Sequence, residues 1–180
     1  MDNFHCLDIK NFLNNKGSTQ NSDFKKGALS MNGSSLPREL LPNNDYFYFN
    51  GIPFVFYFEN NGDNIEMEGQ TLEFADYFVN EAHFIGVSCN GDLMDDIHFL
   101  LDDKIVQTSK IYFSDLISEA PAFNDQCALK FPFLNTITGP KKHLKPKLWY
   151  CSIKFPKTFK VNGIKFEDNP FMHLFSVTFS

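Results

Sequence analysis

The sequence predicts an all-β chain, an antiparallel β-sandwich or jelly roll built from a single domain of 180 residues. Three observations carry that prediction. Most apolar residues after position 45 alternate with polar ones at a period of two, the spacing that puts one face of a strand into a core. Asn-Gly, Asp-Asp and other turn-forming pairs punctuate these runs at roughly 8 to 15 residue intervals, the rhythm of a sandwich. No stretch has a helical period long enough to make a secure helix, and no internal repeat is visible. A chain of this length buries one continuous core without needing a second domain.

Taken in order, residues 1–44 read as an irregular arm packed on the sandwich, because 14–44 are rich in Asn, Gly and Ser and carry no period. The runs YFYFN (46–50) and GIPFVFYF (51–58) meet at Asn50-Gly51, a pair that tolerates the positive φ of a type I′ hairpin. Pro53 follows at once and cannot donate to a central ladder, so a corner or edge strand is an equal reading. NIEMEGQTLEF (64–74) alternates up to Gly69 and resumes at Leu72, a strand pair or a bulged strand. AHFIGVSCNG (82–91) is a strand closed by Asn90-Gly91, and DIHFLL (96–101) with IVQTSKIYF (105–113) forms a hairpin about Asp102-Asp103-Lys104. LWYCSIKF (148–155) places Trp149, Cys151, Ile153 and Phe155 on one side, and HLFSVTFS (173–180) turns Phe175, Val177 and Phe179 inward. Eight or nine strands result, with short helical turns expected only near 36–41 and 114–119.

Composition narrows the function classes. A net charge of −6 and a pI near 5.3 oppose a phosphate-backbone binder, which needs concentrated positive surface. The one basic run, KKHLKPK (141–147), reads as a solvated loop interrupted by Pro146. No apolar run approaches the roughly 20 residues of a spanning helix, so no membrane partner is expected. The opening MDNFHCLDIK lacks the basic start and apolar stretch of a secretory signal, which points to the cytoplasm, or to secretion if a leader has been removed. Cys6, Cys89, Cys127 and Cys151 form no CxxC pair and read as free thiols.

No nucleophile elbow, phosphate loop or HExxH helix is present, and the five histidines never fall at the i, i+2 or i, i+4 spacing of a metal pair. The chain calls for no cofactor. Carboxylates and carbonyls near sandwich loops leave a structural calcium ion open, although no calcium-loop spacing is seen. GDNIEMEGQ (62–70) is the most informative polar stretch: Asp63, Asn64 and Gln70 offer the fixed donors and acceptors that sugar hydroxyls require, or else form a structural corner. Trp149, the only tryptophan, is the candidate platform for a sugar ring, with Tyr150 beside it, although its alternating strand equally suits the core.

Several stretches in order, LDIKNFLNNKG (7–17), SLPRELLP (35–42), FNGIPFVF (49–56), GDNIEMEGQTLEF (62–74), FIGVSCNGD (84–92), IYFSDL (111–116) and NPFMHLFSVTF (169–179), resemble a β-sandwich domain that accompanies bacterial glycoside hydrolases and is similar to galactose-binding-like jelly rolls. The resemblance spans nearly the whole chain and rests on the order of loose motifs. It implies a non-catalytic carbohydrate-binding or accessory role, beside a separate glycoside hydrolase, and adds Asp115 of the Ser-Asp pair to the ligand-binding set. Where that family has Trp after the pair this chain has Leu116, and where its hairpin tip reads Asp-Gly this one reads Asp103-Lys104.

Two further expectations compete with this one. A small hydrolase or lyase would pair carboxylates drawn from Asp63, Glu68 and Asp115 across a cleft, at roughly 5 to 9.5 Å for a glycosidase. An assembly domain would present a Phe-rich face around Phe47, Phe49, Phe54 and Phe56.

Overall fold

In the computed structural model, which describes residues 4–43 and 45–180, twelve strands follow one another. They are β1 (His5–Cys6), β2 (Ser18–Thr19), β3 (Leu36–Pro37), β4 (Tyr46–Phe49), β5 (Ile52–Val55), β6 (Ile65–Glu68), β7 (Thr71–Ser88), β8 (Leu93–Leu101), β9 (Lys104–Phe113), β10 (Gln126–Lys130), β11 (Lys147–Phe166) and β12 (Asp168–Phe179). Helix is confined to three single 3-10 turns at Lys10–Phe12, Phe24–Lys26 and Arg38–Leu40. Among the described residues no helix is long and apolar enough to cross a membrane.

The main sheet runs β1-β12-β7-β11-β8-β9, with β6 also on the flank of β12 and β10 on that of β11. Its spine is the antiparallel pair β7 and β11, in register from Trp149 opposite Gly86 to Lys165 opposite Thr71, with slips between Lys154 and Phe159 and between Val161 and Gly163. Such slips bend and twist the strands that carry them. The two halves of the ladder therefore acquire different neighbours. The second half of β7 pairs with β12 and the start of β11 with β10, whereas the end of β11 pairs with β8, which in turn pairs with β9.

The sheet curls back on itself as a sandwich, bringing Phe113 at the end of β9 onto Gly86 in β7. A Cβ at Gly86 would stand 2.4 Å from the Phe113 ring and 2.6 Å from the His173 carbonyl oxygen, so only hydrogen fits there. Between the layers lie fully buried Trp149, Phe84, Phe99, Phe113, Phe166 and Phe175. Phe155 meets Phe99 edge-on with ring centres 4.9 Å apart, a favoured aromatic geometry.

The turn chemistry is as the sequence implies. Asn50 and Gly51 take φ of 51° and 78°, Asp102 and Asp103 take 50° and 64°, and each pair closes a two-residue hairpin of the I′ kind. Pro53 does not prevent the first hairpin, because β5 pairs only with β4 and is an edge strand. The Pro53 carbonyl accepts from the Thr178 hydroxyl at 2.6 Å, and the Ser176 hydroxyl accepts from the Val55 N–H at 3.2 Å. This hairpin thus covers the second face of β12, which explains why Met172–Phe179 are buried on both sides.

One expectation is corrected here. Phe54 and Phe56 are fully buried, while Phe47 and Phe49 are half-buried against the core. The period-two register turns Tyr46 and Tyr48 outward instead, at 64% and 63% exposure, so the outer face of this hairpin is phenolic. Several strand segments also went unread: the two-residue strands β1, β2 and β3 within 1–44, which the irregular-arm reading passed over, and residues 75–81 of β7, the second half of β11 and β10, where exposure of both faces blurs the alternation.

Gly86→Ala should lower unfolding stability in urea by about 1–3 kcal/mol, because the added methyl overlaps both a ring and a backbone carbonyl. An unchanged midpoint would mean that the layers are not held this closely.

Candidate functional site

Asp63 and Asn64, expected as ligand contacts, lie on the turn before β6 and are buried. The Asp63 carboxylate accepts from the Gly17 and Ser18 N–H groups, each at 2.9 Å, from the Ser18 hydroxyl, and from Asn64 Nδ2 at 2.9 Å. Asn64 Nδ2 also reaches Asn15 Oδ1 at 3.1 Å, and Asn64 Oδ1 meets His173 Nδ1 at 3.1 Å. Gly17 makes the approach feasible, since a Cβ there would fall 2.4 Å from Asn64 Nδ2. The group pins residues 15–18 to the sandwich, with its hydrogen-bonding capacity turned inward. Burial raises the Asp63 carboxyl above its ordinary range, against the downward pull of its donors.

Gln70 is likewise engaged locally, accepting from the Glu68 N–H at 2.7 Å and donating to the Glu66 carbonyl at 2.6 Å. Trp149 is buried, and its indole N–H donates to the Asp115 carbonyl at 3.0 Å, so the ring offers no open face to a sugar. Tyr150 is buried on the opposite face of the strand, its hydroxyl 3.0 Å from His83 Nδ1 and its ring against Phe49 and Phe54. The six expected residues therefore do not converge. Asp63, Glu68 and Asp115 do not share any of the described cavities either. Among the described residues no three His, Cys, Asp or Glu side chains are placed to hold a metal ion.

Only Asp115 stands at an opening. A cleft of about 800 Å³ lies at one end of the sandwich, where four segments distant in sequence meet. The β2–β3 connection contributes Ser30–Ser34, the β7–β8 turn Cys89 and Asn90, the segment after β9 Asp115–Ile117, and the β10–β11 connection Leu134, Thr136–Thr138, Lys141 and Leu144. Met31, Ile117 and Ile137 give it exposed aliphatic walls, at 87%, 47% and 54% exposure.

The base of this cleft is braced to the sheet. The Asp115 carboxylate accepts from Gly91 N–H at 2.8 Å and Ile117 N–H at 2.9 Å, and Leu116 exchanges backbone bonds with Ser88 and Lys147. Next to it, buried Asp125 accepts from the N–H and hydroxyl of Ser114 at 2.7 and 2.9 Å. Such a site combines apolar walls with a few fixed polar groups, the usual make-up of a small-molecule pocket. The basic run 141–147, read as solvated, is corrected in part: Lys141 lines the cleft and Lys147 is buried at the start of β11. The Ser30–Ser34 turn and Thr136–Thr138 were missed. Their only sequence signal is an isolated apolar residue, Met31 or Ile137, within an otherwise polar loop.

Residues 6–180 match the model of a protein family described as the AziU2-like beta-sandwich domain. No curated protein matches the chain.

Burial holds the His173 imidazole down to about 4, with the Leu29 carbonyl acting the other way. The folded protein keeps the ring neutral, whereas the unfolded chain takes up a proton below its ordinary value of 6.5. The histidine's contribution is full above that value and is lost as pH falls toward 4, by about 3 kcal/mol. Asp63 and Glu66 nearby are raised by burial and act in the opposite sense, so the test is a difference. The stability gap between the wild type and His173→Gln in urea should shrink between pH 7 and 4; a constant gap would refute the assignment.

Proposed function

The chain belongs to the AziU2-like β-sandwich domain family, and on that premise we propose that it is a non-catalytic binding module, accessory to a separately folded enzyme, whose ligand occupies the four-segment cleft. The observation that carries this reading is the cleft itself. Its volume of about 800 Å³ suits a small organic molecule, and its walls are aliphatic side chains left exposed on loops whose bases are tied to the sheet. Leaving Met31 and Ile137 in water forgoes burial worth roughly 1.5–3 kcal/mol each, which a bound ligand recovers. Asp115 has both carboxylate oxygens committed to backbone N–H groups, which suits a loop brace better than a proton shuttle.

A saccharide is the ligand implied by the resemblance to glycoside hydrolase accessory domains, and a galactose-binding-like jelly roll is the finer fold reading that accompanies it. In this cleft a sugar would meet Ile117, Ile137 and Leu144 rather than an aromatic face, with hydroxyls in reach of Asn90, Thr136 or Lys141.

Titration of the ¹⁵N-labelled protein with a panel of mono- and oligosaccharides and aliphatic fragments should shift the amide resonances of residues 30–34, 115–117 and 134–144. Ile137→Asp should weaken any such ligand by about tenfold or more, while the melting temperature stays within a few degrees because Ile137 is largely exposed. Shifts that map elsewhere, or binding indifferent to Ile137→Asp, would remove the cleft from the function.

A further inference from the structure

Beside the cleft, and sharing Ile117 and Leu144 with it, lies a second cavity of about 390 Å³. Its remaining walls are Lys130, Lys145, Lys147, His143 and a single acid, Glu119. This concentration of cationic groups is local, for the chain as a whole carries a net charge of −6. Lys147 is only 6% exposed, yet among the described residues neither it, Lys130 nor Lys145 joins an ion pair. The Lys147 ammonium donates to the Ser118 carbonyl and stands 5.7 Å from the centre of the Trp149 ring, and Lys145 Nζ donates to the Pro132 carbonyl at 2.6 Å.

An ammonium has three donors, and a buried charge is costly unless it is paired. Neutral carbonyls and a ring face meet that need only in part. An oxyanion entering the cavity supplies the missing counter-charge through charge-assisted hydrogen bonds.

We propose that the cleft and this lysine-lined cavity form one site for an amphiphilic anion, whose aliphatic portion lies on Ile117, Ile137 and Leu144 and whose terminal oxyanion sits among Lys130, Lys145 and Lys147. The assignment rests on the cleft being a ligand site and adds the chemical class of what it takes. It also gives a role to the basic run 141–147, whose residues 143–147 supply most of the cavity wall.

The probes are octanoate, octanol and inorganic phosphate, titrated calorimetrically at low and high salt. Octanoate should bind about tenfold or more tighter than octanol, phosphate more weakly than octanoate, and added salt should erode the octanoate advantage. The double variant Lys130→Ser/Lys145→Ser, at two exposed positions, should bring octanoate down to the affinity of octanol while leaving octanol unchanged. Lys147→Met should do the same, with circular dichroism confirming that it folds.

Equal binding of octanoate and octanol, or an octanoate affinity untouched by the lysine variants, would overturn the anion assignment while leaving the cleft as a ligand site. Octanoate binding that survives Ile137→Asp but not the lysine variants would overturn the joined site. If neither octanoate nor octanol binds, the amphiphile assignment falls, and the saccharide and fragment titration alone decides whether the cleft binds anything.

Discussion

The constraint on which the rest of the molecule depends is the ladder between β7 and β11. Strands of 18 and 20 residues exceed the usual five or six by about threefold, and a sheet that long cannot stay flat against its own twist. The two register slips bend the pair and sharpen its twist, and the bend lets one sheet supply both layers of the sandwich. β8, β10 and β12 are placed by which part of the ladder they join, and β9, β1 and β6 pair on to these in turn. The close contact of Phe113 with Gly86 follows directly, since it is where the curled sheet meets itself.

The same curl determines what the loops are for. At one end it leaves the base of the β7–β8 turn beside the segment that follows β9, and Ser88, Asp115, Leu116 and Lys147 stitch the two together through their backbones. That stitching gives the cleft a fixed base on which the loops stand. The β2–β3 connection completes it because the buried group around Asp63, Asn64 and His173 holds residues 15–18 to the sandwich, and the chain runs on from there to Ser30–Ser34. A polar cluster in the interior thereby positions an aliphatic wall at the surface.

Much of this was legible in the sequence where the information is local. The hairpins at Asn50-Gly51 and Asp102-Asp103 are turn chemistry, and both formed. The partners of a polar side chain are not local. Asp63 and Asn64 read correctly as residues with rigid, well-aimed hydrogen-bonding groups, but the groups they meet lie some 45 residues earlier, and no spacing rule connects them. Trp149 shows the same ambiguity from the apolar side, because an alternating strand looks alike whether one face or both are covered. The cleft escaped for a related reason: it is a meeting of four irregular segments, and irregular segments have no period to read.

The position of β12 has a consequence for how the chain reaches this state. It follows in sequence every strand it joins, yet it lies inside the sheet, between β7 on one side and β1 and β6 on the other. During synthesis β8 and β9 emerge before it and pair early as a hairpin, whereas both partners of β7, β11 and β12, come later, so the edges of β7 remain open until then. Closure of the sandwich waits for β12, and the contacts that complete it, such as His5 opposite Phe179, join residues far apart in sequence. Folding of such a topology is slow and leaves a strand edge unpaired until β12 docks, so aggregation through that edge competes with closure.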